Sequence, residues 1–131
     1  MSSTSDPFAT LRGRAYMNLT TFRKSGQGVV TPVWFAEDGE RLYVFTDQGA
    51  GKTKRIRNSG RVELAPSDGR GKPLGPAFAA QAHILAAAPA IQRAEELIAR
   101  KYGWQLRLIR FINRFRGATG PAYLEITPAG A

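Results

Sequence analysis

The alternating run VVTPVWFA at 29–36, followed by the turn residues Glu37-Asp38-Gly39-Glu40 and the apolar stretch 41–46, commits this chain to antiparallel β pairing. A period of two puts Val29, Thr31, Val33 and Phe35 on one face and Val30, Pro32, Trp34 and Ala36 on the other. Gly39 supplies the positive φ that a tight hairpin needs. Pro32 has no N–H to give to a ladder, so its strand belongs at an edge, a bulge or a functional interruption. Immediately downstream, Lys52, Lys54, Arg55 and Arg57 fall within six residues, behind Gly49 and Gly51. Glycines let backbone approach a ligand closely, and N–H groups converging with cations make a cradle for phosphate. The plain alternative is a solvated charged face, which is what runs of charge usually are.

The remaining segments read as scaffold. Residues 1–10 are expected to form a flexible lead-in with a turn of helix around Phe8 and Leu11. A first strand is expected over 15–22, and 24–28 turns it back into the second at 29–36. The third follows at 41–46. One or two helical turns fit 52–58, with Gly60 as the stop. A fourth strand at 61–65 ends at Pro66, and 67–76 is a Gly/Pro-rich loop. A fifth strand covers 77–86. Pro89 opens a helix that runs to Tyr102 and closes at Gly103. Another helix is expected at 105–116 and a last strand at 122–126. Six short strands with few helices argue for a mainly β fold, a small antiparallel barrel with helices packed on it, in one domain spanning 1–131.

Composition removes several classes of function. With no cysteine, disulfide frameworks, thiolate metal sites and cysteine nucleophiles are out. The start, MSSTSDPFATL, lacks the order of a signal peptide, and no apolar run nears the ~20 residues that span a bilayer. A cytoplasmic protein that does not enter a membrane is expected. The net charge of +9 favours an anionic partner. Nucleic acid is the less favoured one, since neither strand aromatics for stacking RNA nor a helix-turn-helix is evident.

Few side chains advertise catalysis. His83 is the only histidine, and a metal site needs several ligands, so no metal is expected. GAGKT at 49–53 lacks the upstream glycine of a nucleoside-triphosphate loop, because position 46 is threonine. Glu95 and Glu96 read as surface partners of Arg100. Asn18-Leu19-Thr20 matches a glycosylation sequon without a secretory signal behind it. Leu108, Ile112 and Phe115 make one stripe of an amphipathic helix, and Arg107, Arg110 and Arg114 another. The basic stripe is either solvated or the rim of an anion groove. Tyr102 and Trp104 read as core or lid residues.

The segments TTFRKSGQGVVTPVWFAEDGERLYVFT and GKTKRIRNSGRVELAPSDGRGKPLGP, with KYGW and AYLEITP in the tail, resemble one family. It is the actinobacterial coenzyme F420 (deazaflavin)-dependent oxidoreductases of the pyridoxamine 5′-phosphate oxidase-like, split β-barrel class. The resemblance runs from about Tyr16 to Pro128, and TPVWF and KTKRIRN are its most specific parts. It implies a six-stranded split barrel, a homodimer, and a cofactor groove between subunits. By the same resemblance Lys52, Lys54, Arg55 and Asn58 hold the cofactor phosphate, the ring lies along Thr31, Pro32, Val33 and Trp34, and Thr46 lines the floor. Relatives often carry a proline before the arginine where this chain has Asn58-Ser59-Gly60-Arg61, a departure in the exit turn.

A deazaflavin carries the hydride itself, so the protein need only orient it and exclude water. The lack of an evident triad or carboxylate pair is then expected, and no residue is assigned a catalytic role. The oligoglutamate tail of F420 is a second reason for excess positive charge. The function implied is hydride transfer between reduced F420 and a small conjugated or aromatic molecule. The alternatives are an FMN-binding oxidase or flavin carrier of the same fold, and a non-catalytic F420-binding protein.

Overall fold

The computed structural model describes residues 6–103 and 121–129. Seven strands, β1 (Tyr16–Phe22), β2 (Gly28–Val33), β3 (Phe35–Asp38), β4 (Arg41–Asp47), β5 (Arg61–Ser67), β6 (Phe78–Ile84) and β7 (Pro121–Pro128), make one antiparallel sheet. Their order is β2-β1-β5-β6-β7-β4-β3. The two outermost strands are successive in sequence and separated only by Trp34, so the sheet curls until its edges meet in one bent strand. Counted that way, the expected six-stranded barrel and the seven segments describe the same object. The first half of the bent strand pairs with β1 (Thr31 opposite Leu19), the second with β4 (Phe35 opposite Val44). Pro32 therefore lies in an edge strand, where its missing N–H costs little.

Inward rows fill the barrel: Met17 and Leu19 from β1, Val33 and Phe35, Leu42 and Val44, Val62 and Leu64, Leu124 and Ile126. Strands β3, β4 and β7 are apolar on their outer rows too, at Ala36, Tyr43 and Tyr123. A helix must cover that second face. It is supplied by α2 (Ala88–Tyr102), which sets Ala94, Ile98 and Tyr102 against those residues. Gly103, at φ 58°, closes the helix as its sequence position suggests.

Three expectations need correction. The helical turn expected near Phe8 and Leu11 is there, as a 3-10 turn at Ala9–Leu11, but it is part of the scaffold: Phe8 and Leu11 are fully buried in the barrel core. Glu37 and Asp38 belong to β3, and only Gly39 and Glu40 make the turn. β5 does not stop at Pro66 but continues to Ser67. Beyond Leu64, β6 has parted from it, and the Pro66 carbonyl instead accepts from the Leu74 N–H. The helix expected at 105–116, with its arginine stripe, lies outside the described residues.

Candidate functional site

The basic run after β4 folds as α1 (Gly51–Asn58), laid across one end of the barrel. Thr53 and Ile56 form its buried side. Thr53 Oγ1 donates to the Asp47 carbonyl at 2.8 Å, fixing the helix to the end of β4. Arg55 Nε donates to Thr21 Oγ1 at 2.6 Å, fixing it to the end of β1. Thr21 pairs with Val29, so Arg55 stands beside the strand that continues into Thr31 and Val33. Gly51 matters here for a reason the sequence hides. A Cβ on it would lie 2.8 Å from Arg55 Nη1, so the guanidinium folds back over the first turn of its own helix.

That placement is costly without a counterion. The first N–H groups of a helix have no carbonyl partner within it, and they carry the positive end of its dipole. Arg55 adds a full charge there. Lys52, one turn away on the same side, is half-buried. Burial first, and then the charge of Arg55, hold its pKa below the usual lysine value, with Asp47 opposing. Among the described residues neither Lys52 nor Arg55 makes a salt bridge. Two neighbouring cations at a helix N-terminus are the arrangement that a bound phosphate stabilises.

The structure divides the other expected residues. Lys54 and Asn58 are exposed, with Arg57, on the outer side of α1. Asn58 ends the helix, roughly 10 Å along its axis from Gly51 at about 1.5 Å per residue, so it does not join Lys52 and Arg55. Thr46 is buried and follows Leu42 and Val44 in the inward row of β4. Thr31 and Val33 face inward, and Pro32 and Trp34 outward. The orientation matches the period-two reading, and the break falls at Trp34.

Trp34 is engaged on the side of α2. Its ring stacks on Tyr102 at 4.4 Å with 5° between planes, and meets Tyr16 edge-on at 6.4 Å. The Tyr102 hydroxyl receives the Phe35 N–H at 2.8 Å and lies within hydrogen-bond reach of the Ala15 and Phe35 carbonyls. Burial raises its pKa far above the usual tyrosine value, so it stays a neutral donor. Beside it, Lys101 Nζ pairs with Glu37 Oε1 at 2.9 Å and lies 3.8 Å over the Phe35 ring. The sequence offered Glu37 only as a turn residue and gave Lys101 no role of its own. The only signal available was a charged residue in the last turn of an otherwise amphipathic helix.

A cleft of about 320 Å³ opens here, lined by segment 13–15, Tyr16, Trp34, Lys101 and Tyr102. It does not include the cations of α1, so the two features are separate.

On the outer face of β1, Asn18 is buried and donates through Nδ2 to the Gly71 carbonyl at 2.8 Å, which withdraws the sequon into the fold. Its Oδ1 is buried without a hydrogen-bond partner among the described residues. Asn18 pairs with Pro32 across the ladder. His83 is exposed and sits 3.2 Å from Glu125, with no group of metal ligands among the described residues. Glu95 accepts from the Tyr123 hydroxyl instead of pairing with Arg100.

The sequence matches the family model of pyridoxamine 5′-phosphate oxidase over residues 8–130, nearly the whole chain. The chain belongs to the pyridoxamine 5′-phosphate oxidase family. Solved structures agree in fold at low identity. The heme storage protein HutZ of Vibrio cholerae superposes with a TM-score of 0.69 at 14% identity, over 94% of this chain and 87% of that one. A conserved hypothetical protein of Mycobacterium tuberculosis gives 0.67 at 16%, covering 98% and 82%. An FAD-binding protein of Mesorhizobium loti gives 0.60 at 16%, covering 92% and 84%. No curated protein matches the chain in sequence. Membership of the pyridoxamine 5′-phosphate oxidase family accounts for the curled antiparallel sheet and its two helices. Among the described residues no helix is long and apolar enough to cross a membrane.

Proposed function

We propose that this protein is a cytoplasmic, homodimeric oxidoreductase that transfers a hydride between reduced coenzyme F420 and a small conjugated or aromatic molecule. The observation that carries the reading is the corner where Arg55 and half-buried Lys52 meet over the N-terminal turn of α1. These groups fit the phosphate of such a cofactor, and Lys54 and Asn58 lie on the solvent side for whatever extends beyond it. The strand Thr31–Trp34 borders this corner through the Thr21–Val29 pair, which supports its use as the bed of the ring. Thr46, from the end of β4, completes the floor. The orphaned Asn18 Oδ1 opposite Pro32 is an acceptor suited to a ligand N–H.

When bound, the deazaflavin supplies the hydride chemistry. The chain's own residues neutralise the phosphate, hold the ring against a bent strand, and shield the reacting face from water. FMN is the second reading, favoured by the family itself and by the FAD-binding neighbour. A storage protein among the structural neighbours supports a third, in which the fold binds its cofactor without turning it over.

Parallel fluorescence titrations with F420 and with FMN test the assignment. Saturable binding of F420 at micromolar concentration, with FMN weaker, is the expected result. FMN binding alone transfers the reading to the flavin. Binding of neither removes it.

A further inference from the structure

The cleft at the break between β2 and β3 is built more rigidly than a surface depression needs to be. One wall is Trp34, locked by its stack on Tyr102, whose hydroxyl is tied to the backbone at Phe35. Tyr16 stands at 60° to Trp34 and forms the second wall. With Tyr102 also in the lining, three aromatic side chains wall the cleft, a surface that favours a flat, apolar body. The volume, about 320 Å³, lies at the low end of the roughly 300–1,000 Å³ typical of small-molecule sites. It takes one or two fused rings and not a tailed cofactor.

Charge decides the rest. Of the two cations at the cleft, Lys101 is already spent on Glu37 and on the ring of Phe35, so it offers mainly its hydrocarbon stem. Arg14 is exposed, and its Nε donates to the Thr10 carbonyl at 3.0 Å. That bond orients the guanidinium, and its two terminal nitrogens have no partner among the described residues. Among the described residues no acid lines the cleft; Glu37 lies behind it, with both carboxylate oxygens taken by the Gly13 N–H and Lys101 Nζ. A guanidinium so placed pairs with a carboxylate through two parallel hydrogen bonds.

We propose that this cleft binds a small planar aromatic carboxylate, and that Arg14 is the residue selecting for the acid. That such an acid is the substrate rests on the proposed function; the cleft and its ligand class do not. The cleft takes in Trp34, the last of the residues assigned to the ring, so a molecule held there would adjoin the hydride carrier.

Calorimetry of the full chain with 2-naphthoate and with its neutral counterpart 2-naphthalenemethanol tests this. The acid should bind at least roughly tenfold more tightly, the effect of one charge-assisted pair. Arg14→Ser should erase that preference and leave the alcohol unchanged. Because the chain has two tryptophans, Trp104→Phe leaves Trp34 as the sole emitter, and 2-naphthoate should quench it. The proposal is overturned if the acid does not bind at millimolar concentration. It also fails if acid and alcohol bind alike, or if Arg14→Ser keeps the preference. An F420 titration run separately distinguishes the two claims. Naphthoate binding without F420 binding keeps the cleft and removes the proposed function, and the converse removes only the cleft.

Discussion

Lys52 gains its character from where α1 begins. In a free chain its ammonium would be one of nineteen similar cations. Half-buried beside Arg55, its pKa is pulled below the usual 10.5, chiefly by burial. A phosphate on the helix N-terminus would restore the charge. Cofactor affinity should therefore fall as pH rises through the depressed pKa, earlier than an ordinary lysine would allow. Lys52→Gln should weaken a phosphate-bearing cofactor by roughly 10–100-fold, the loss of one hydrogen bond to a charged group at about 1.5–3 kcal/mol. It should also abolish the alkaline fall. Titrations of wild type and variant across the alkaline range check both points. Equal affinities would show that Lys52 faces solvent when the ligand binds. Lys54→Gln, on the exposed side of the same helix, should lose far less.

Among the elements, the short strand β3 is held by α2 as well as by its pairing with β4. Glu37 accepts from Lys101 Nζ and from the Gly13 N–H at 3.0 Å. Burial alone would raise its pKa, but those two donors outweigh burial and hold it below the usual glutamate value. Such a group stabilises the fold fully above its unfolded pKa, near 4.5. The contribution is lost as pH falls through the lower folded value. Urea unfolding should show the wild type losing more stability than Glu37→Gln between neutral pH and that acid range. Parallel losses would mean that β3 is held by packing alone. This clamp also marks where sequence reading stops. Alternation at 29–36 gave the faces of Thr31, Pro32, Val33 and Trp34, and Gly103 gave the end of α2, because both are local signals. The bend at Trp34 was not legible. The backbone groups of Phe35 beside it are met by Tyr102, 68 positions after Trp34 in the chain, a partner no local pattern announces. The cations at 52–57 were visible as a cluster, yet only the helix shows Lys52 and Arg55 turned inward and Asn58 removed to the far end. Phe8 and Leu11 were hidden by the small polar residues around them, which disguise two side chains that plug the barrel.

For the molecule as a whole, the sheet nearly abolishes its own edges, and the exception falls at the proposed cofactor strand. Each half of the bent strand is paired on one side only, β2 with β1 and β3 with β4. Open edges invite another chain. Pro32 blunts one of them, and Val30, in the outer row of β2, stands 57% exposed beside it. A second copy lying over this face would bury Val30 and bring its own residues beside Thr31–Trp34. The expected particle in sedimentation equilibrium has twice the chain mass of 14.3 kDa. Val30→Lys should shift it to a single chain with unchanged circular dichroism, because the side chain points away from the core. If the cofactor groove lies between subunits, the same variant should lose cofactor binding although none of the proposed phosphate contacts has been altered. A dimer that survives Val30→Lys would put the interface elsewhere, and a monomer that binds as well as the wild type would place the whole site within one chain.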